Sequence, residues 1–237
     1  MRRSRTTQSG NPVRLTLTCM FLLLSLFLFT APSCSAYNET KLSASDGTSG
    51  DYFAHAVATG AKIVVVGAPY ANSNKGAVYI YQYNGNNWAE TKLAPNSPAG
   101  VGYFGYSVAV SGNSIVVGAP YSNAQKGAIF IYRYNGINWE ETRFTASDGA
   151  EQDYFGYSVV ISGKTVVAGA PYAGSRKGKA YVYQNDGINW AETKLTASGG
   201  AEGDLFGYSV ALSGNSVIVN APYADRNKGA VYIFTLE

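Results

Sequence analysis

The chain repeats itself with a period of 51 residues, and that period limits the available folds before any local motif is considered. Phe53, Phe104, Phe155 and Phe206 are 51 residues apart, as are Pro69, Pro120, Pro171 and Pro222, and Lys75, Lys126, Lys177 and Lys228. Trp88, Trp139 and Trp190 keep the same step, and one step back from Trp88 lands on Tyr37. The stretch "FGYSVAVSGNSIVVGAPY" (104–121) returns at 155–172 and 206–223, and in a divergent form, "FAHAVATGAKIVVVGAPY", at 53–70. The four copies match without insertion or deletion. A unit of this size cannot bury its own apolar faces, so the period predicts a solenoid, an array or a propeller in which neighbours cover one another.

Within one period the pattern is that of strands. "YFGYSVAVS" alternates, "SIVVGA" is a β-branched run suited to burial on both faces, and "GAIFIYRY" and "WEETRFTA" alternate again. Between them lie "SGN", "YSNAQK", "NGIN" and "SDGAEQD", rich in the residues that turns need. Four short antiparallel strands per repeat predict an all-β fold, a β-propeller with one blade per repeat. Glycine inside a strand weakens it. Its recurrence at Gly67, Gly118 and Gly169, and at Gly105, Gly156 and Gly207, therefore predicts a close backbone approach, with the phenylalanines filling the seams between blades.

The first 36 residues are of another kind. "MRRSRTTQSGNPVR" is basic, "LTLTCMFLLLSLFLFTA" is an apolar run, and small residues lead to Ala36. This layout predicts a secretory signal peptide over 1–36, with an uncleaved anchor as its competitor and a lipid-modified Cys34 as a weaker one. Cleavage would leave residues 37–237 as a secreted or surface domain without a membrane span. All fifteen acidic residues lie beyond Ala36, against fourteen basic ones, so the domain carries a net charge of −1 and lacks the basic footprint of a nucleic-acid binder. Both cysteines, Cys19 and Cys34, lie in the leader, so the domain must rely on packing and backbone pairing rather than disulfides.

The phase of the repeat carries a further expectation. "YNETKLSA" at 37–44 matches "WEETRFTA", the fourth strand of a blade, whereas the C-terminal "GAVYIFTLE" matches the third. Pairing of 37–44 with 229–236 would make one blade shared by the two termini. A closed ring of four blades, a ring completed by a second copy of the chain, and a piece of a larger propeller all satisfy this phase.

The Phe-Gly start and Gly-Ala-Pro end of each unit resemble the FG-GAP repeat of integrin alpha propellers. The motif "FG" stands at 104, 155 and 206 and "GAPY" at 67, 118 and 169, with departures "FAH" at 53–55 and "NAPY" at 220–223. The resemblance implies an extracellular propeller in cell adhesion that meets its ligand through the loops between strands two and three and between blades. It also implies aspartate-rich calcium loops between the first and second strands. Here those connections read "SGNS", "SGKT" and "TGAK" and offer no carboxylate, so those sites are expected to be missing.

On this basis the expected ligand-binding face comprises Tyr70, Lys75, Tyr121, Lys126, Tyr172, Lys177, Tyr223 and Lys228, recognising an extracellular protein or glycan with no cofactor. Asp51, Asp153 and Asp204, at equivalent turn positions, are read first as turn caps and second as weak calcium ligands. His55 replaces an aromatic residue that the other copies carry as Tyr106, Tyr157 and Tyr208. The tryptophans are read as blade-edge packing ahead of sugar stacking. Asn38-Glu39-Thr40 is an N-glycosylation sequon for a eukaryotic source. No nucleophile, base and orienting acid come together, so the chain is read as a binding module rather than an enzyme. A passive structural domain and a hydrolase-like propeller are the alternatives.

Overall fold

A computed structural model describes residues 38–236; the predicted signal segment 1–36 and Tyr37 lie outside the described residues. The first blade is β1 (Ala56–Thr59), β2 (Ile63–Ala68), β3 (Ala77–Tyr83) and β4 (Trp88–Leu93). The second is β5 (Ser107–Ser111), β6 (Ser114–Ala119), β7 (Ala128–Tyr134) and β8 (Trp139–Phe144). The third is β9 (Ser158–Ser162), β10 (Thr165–Ala170), β11 (Lys179–Asn185) and β12 (Trp190–Leu195). The fourth has three strands, β13 (Val210–Ser213), β14 (Ser216–Ala221) and β15 (Ala230–Thr235). Each blade is an antiparallel meander in sequence order, the sheet expected of a β-propeller.

β1, β5, β9 and β13 lie side by side as the innermost strands, so each blade packs its rear face on the front face of the next. Burial on both faces is why β6 and β7 read as near-continuous apolar runs. In the first seam Val65, Val78 and Ile80 meet Ile115, Val117, Phe130 and Tyr132, with Phe104 buried among them. Phe155 and Phe206 fill the second and third seams in the same way. Their rings stand edge-on to neighbours, Phe104 5.2 Å from Phe130 and Phe155 5.3 Å from Tyr181. Burying such a side chain stabilises by about 1.5–3 kcal/mol, and each edge-on pair adds roughly 0.5–1.5 kcal/mol.

The seam tyrosines keep their hydroxyls satisfied. Tyr81, Tyr132 and Tyr183 donate to Glu90, Glu141 and Glu192 at 3.0, 2.8 and 2.7 Å. The same carboxylates accept the backbone N–H of Ser45, Asn96 and Ser147, tying the incoming linker to the blade it enters. These acids at alternating strand positions are therefore anchors.

The inner ends of the seams explain the repeated glycines. A Cβ on Gly67, Gly118 or Gly169 would sit 1.9, 2.0 or 1.9 Å from the carbonyl oxygen of Gly105, Gly156 or Gly207 in the next blade. No side chain fits there. Ser107 and Ser158 donate to the Gly156 and Gly207 carbonyls at 2.8 and 2.9 Å, closing the second and third seams with hydrogen bonds.

The blade shared by the termini is not formed among the described residues. Among the described residues β15 has a ladder only with β14, and residues 38–41 belong to no strand. Leu42 and Ala44 pack on Tyr79 and Tyr81, the Tyr81 hydroxyl donates to Ser43 O at 2.9 Å, and Ser45 Oγ donates to Glu90 at 2.6 Å. These contacts commit the segment from Leu42 onward to the front of the first blade.

Candidate recognition face

Each Ala-Pro-Tyr ends the second strand of its blade, and the chain then makes a tight turn with three successive left-handed residues. In the first blade these are Asn72, Ser73 and Asn74, with φ of 54°, 58° and 67°. The same conformation recurs at 123–125, 174–176 and 225–227. Left-handed backbone costs roughly 1–2 kcal/mol per residue outside glycine. Backbone hydrogen bonds hold it in place: Gly76 N donates to Ala71 O, and the following blade supplies Tyr103 N to Asn74 O at 2.8 Å and Phe104 N to Lys75 O at 3.0 Å. Tyr154 and Phe155 clamp the second turn, and Leu205 and Phe206 the third. Tyr52, Tyr103, Tyr154 and Leu205, which precede the phenylalanines, are themselves left-handed, with φ of 52–57°.

That strained position brings Tyr52, Tyr103 and Tyr154 into a row with the tyrosines of the Ala-Pro-Tyr motif. Tyr52, Tyr70, Tyr103, Tyr121, Tyr154 and Tyr172 follow one another with ring centroids 4.7, 5.0, 4.3, 5.0 and 5.0 Å apart. A second row, His55, Tyr106, Tyr157 and Tyr208, runs beside it at spacings of 4.9, 5.1 and 5.0 Å. The rows touch where His55 meets Tyr70, Tyr106 meets Tyr121 and Tyr157 meets Tyr172. Burial, reinforced by hydrogen bonding with Tyr106 and Tyr208, pushes the Tyr157 hydroxyl well above the usual phenol range; burial also raises Tyr106 and Tyr121. Tyr106, Tyr121 and Tyr157 therefore stay protonated at physiological pH, and the strip presents aromatic faces edged with hydroxyls.

Charge lies at its rim. Lys75, Lys126, Lys177 and Lys228 close the four turns and are exposed, and the Arg176 guanidinium lies 5.6 Å from the Tyr172 ring centre. Between the turn at 172–176 and the loop at 150–154 is a cleft of about 590 Å³ lined by Glu151, Asp153, Tyr154, Tyr172 and Arg176. Of the eight residues expected to form the binding face, Tyr70, Tyr121 and Tyr172 join the aromatic strip, Tyr223 is exposed, and the lysines are exposed at the ends of the four turns. Sequence reading left out Tyr52, Tyr103 and Tyr154. Their signal was an aromatic residue immediately before the repeated phenylalanine, which strand alternation had absorbed as part of "YFGYSVAVS".

The aspartates act on the turns. Asp51, Asp153 and Asp204 each accept, through Oδ2, the backbone N–H three residues earlier, from Thr48, Ala150 and Ala201, at 2.8, 2.9 and 2.8 Å. In the second copy, which has no acid there, Pro98 O receives Val101 N instead. Among the described residues no three of His, Cys, Asp or Glu converge as metal ligands. Between β5 and β6 only Gly112 and Asn113 intervene, a hairpin with no length for an ion-binding loop. Trp88 and Trp139 pack on Tyr83 and Tyr134, each pair 5.2 Å apart, and Trp190 on Phe144 at 5.6 Å. Asn38 is exposed. No helix among the described residues is long and apolar enough to cross a membrane.

Comparison with known proteins gives the arrangement its relatives. The chain is 30% identical over 186 residues to integrin alpha-7 of Homo sapiens, covering 70% of this chain and 15% of that protein. Integrin alpha-7 of Rattus norvegicus is 29% identical over 136 residues, covering 50% of this chain and 12% of its own length. Integrin alpha-5 of Xenopus laevis is 31% identical over 162 residues, covering 56% and 15%. The chain thus spans well under a fifth of the length of these relatives. The FG-GAP repeat model matches residues 37–81, 88–132, 139–183 and 190–234. With four blades in register and a repeat model matched in each, the chain belongs to the FG-GAP repeat family, in its integrin alpha-like form.

Proposed function

We infer that this chain is an extracellular binding module, secreted or held at the cell surface, that serves adhesion by meeting a protein or glycan through its tyrosine-lined end. One observation carries the reading. The aromatic strip and the clamped turns beside it form a recognition surface already in its final conformation, and rigid tyrosines give contact area at little entropic cost. The lysines and the Arg176–Glu151 neighbourhood supply steering and hydrogen bonds around it. Asp51, Asp153 and Asp204 are engaged in turns, and Glu90, Glu141 and Glu192 in anchoring tyrosines and linkers, which favours binding over catalysis. Calcium plays no part in this reading, because the hairpins that carry the ion in integrins are too short here.

A glycan array and a pulldown against surface proteins, each run with and without chelator, test it. Binding should survive the chelator and fall at least tenfold when Tyr121, Lys126, Tyr172 and Lys177 are replaced together by alanine. Binding that persists in this variant would move the partner to another face, and loss in chelator would overturn the calcium-free reading. Turnover of a hydrolase substrate, lost on replacing Asp153 or Asp204, would make the chain an enzyme.

A further inference from the structure

The blade ends opposite the tyrosine strip carry the short hairpins, and there the first seam differs from the second. In the second seam Ser111 Oγ accepts the Gly163 N–H at 3.0 Å and ties the hairpin of the second blade to that of the third. Phe144 packs on Trp190 with ring centres 5.6 Å apart. The first seam has neither device. One period back, Gly60 stands for Ser111 and Leu93 for Phe144, so the hairpins lose that bond and the tryptophan loses that ring. A cleft of about 350 Å³ lies here, between Gly60, Lys62 and Gln82 of the first blade and Asn113, Tyr134 and Trp139 of the second.

Its two walls are chemically unlike. The second blade supplies an aromatic wall, in which Tyr134 and Trp139 are cross-strand partners, half-buried, with ring centres 5.2 Å apart and planes at 46°. Both are held in place: Trp139 packs on the core of the first seam, and Tyr134 N donates to Asn113 O at 2.9 Å. The first blade supplies a polar wall. Gln82 continues the β3 face that Val78 and Ile80 bury in the seam, and Lys62 lies in the hairpin before β2. Gln82, Lys62 and Asn113 are all exposed, and Lys62 is outside the three ion pairs of the described residues. No acidic side chain lines the cleft. In the second seam the aromatic wall is broken, because Asn185 takes the place of Tyr134.

This pairing of walls selects among ligands. A wholly apolar molecule would strip water from Lys62 and Gln82 and return no hydrogen bond. A cation finds no carboxylate. A phosphate finds one ammonium and no arginine fork. A pyranose ring fits both walls, with a C–H face for the aromatic rings and a rim of hydroxyls for the amides and the ammonium. The volume is at the small end for ligand cavities, the size for one sugar unit rather than a peptide segment.

We propose that the cleft between the first and second blades binds a single pyranose unit, its C–H face on Trp139 and Tyr134 and its hydroxyls on Lys62, Gln82 and Asn113. The site is separate from the tyrosine strip and stands whether or not that strip binds a partner.

Trp88, Trp139 and Trp190 each give an indole N–H signal in a spectrum of the nitrogen-15-labelled chain, so the repeat carries its own controls. The chain is titrated with the methyl glycosides of glucose, galactose, mannose and N-acetylglucosamine. At least one should shift the Trp139 signal and leave that of Trp190 in place, with half-saturation at roughly a few millimolar for a ligand of about a dozen non-hydrogen atoms. Lys62→Ala and Gln82→Ala, both at exposed positions, should each weaken that sugar about fivefold, the factor for one hydrogen bond. No shift with any of these sugars at about ten times the expected half-saturation, an equal shift at Trp190, or an affinity unchanged in both variants would each overturn the proposal. The titration of the parent chain needs no variant, so a misfolded mutant does not shield it.

Discussion

Replacing Gly118 by alanine tests whether the glycines at the inner ends of the blades are required by contact or merely tolerated. A Cβ there would lie 2.0 Å from Gly156 O and 2.2 Å from Ser107 Oγ. Carbon and oxygen normally stay roughly 3.3 Å apart. The two blades must therefore separate by more than 1 Å locally (roughly the difference of the two distances). Overpacking of this kind costs about 1–3 kcal/mol, and a rigid backbone on both sides puts Gly118→Ala at the upper end. The displaced Ser107 hydroxyl also loses its bond to Gly156 O, about 1 kcal/mol more. Together these come to about 4 kcal/mol, and at roughly 2–4 °C per kcal/mol the midpoint should fall by about 8–16 °C. The control is Gly112→Ala, a hairpin glycine with φ of 56° and nothing within 4 Å of the added carbon. Its cost is the left-handed backbone alone, about 1 kcal/mol, and a drop of about 2–4 °C. Scanning calorimetry of the two variants beside the parent decides the matter. If Gly118→Ala melts within 4 °C of Gly112→Ala, close approach is not what keeps these glycines.

Phe155→Ala should cost about 3–5 kcal/mol in urea unfolding and Phe53→Ala clearly less, because only the former fills a completed seam. Burial, followed by hydrogen bonding to Glu141 and Glu192, raises Tyr132 and Tyr183 far above the free phenol value of 10.0. Their folded pKa values lie above the unfolded ones, so their contribution is complete below about pH 10 and is lost as pH rises. A titration at 295 nm should show them ionising only together with alkaline unfolding. Asp148 is held well below the usual carboxylate range by the Tyr181 hydroxyl first and then by Lys179 and Lys194. A depressed folded pKa means that its contribution is present above about pH 4 and declines below it, so Asp148→Asn should flatten the acid limb of a stability–pH curve.

The blades were legible in the sequence because each rests on short-range patterns: alternation in "GAIFIYRY", turn residues in "SGN" and "NGIN", and glycines that only a close neighbour could require. Strand order and register followed from them. The state of the ring was not legible. Whether 37–44 reaches β15 depends on the angle accumulated over three seams, and that angle is set by side chains stacked between blades rather than by any local spacing. The recognition face was legible in part. Tyr70, Tyr121 and Tyr172 stood out through the Ala-Pro-Tyr motif, but Tyr103 and Tyr154 occupy a strand-like stretch, and only the left-handed backbone at those residues turns their rings toward the same end.

The clamped turns have a consequence for how such a surface changes over time. Their central residues are Asn-Ser-Asn, Asn-Ala-Gln, Gly-Ser-Arg and Asp-Arg-Asn, yet φ at these positions stays between 51° and 67° in all four. Each tip is closed by backbone bonds that flank it, such as Gly76 N to Ala71 O and Gly229 N to Ala224 O, and the first three are also bonded to the following blade, so the three letters at the tip are released from the work of shaping it. Polar, small, amide and charged side chains have all been accepted there. New specificities can therefore be spelled one tripeptide at a time, without renegotiating the fold underneath.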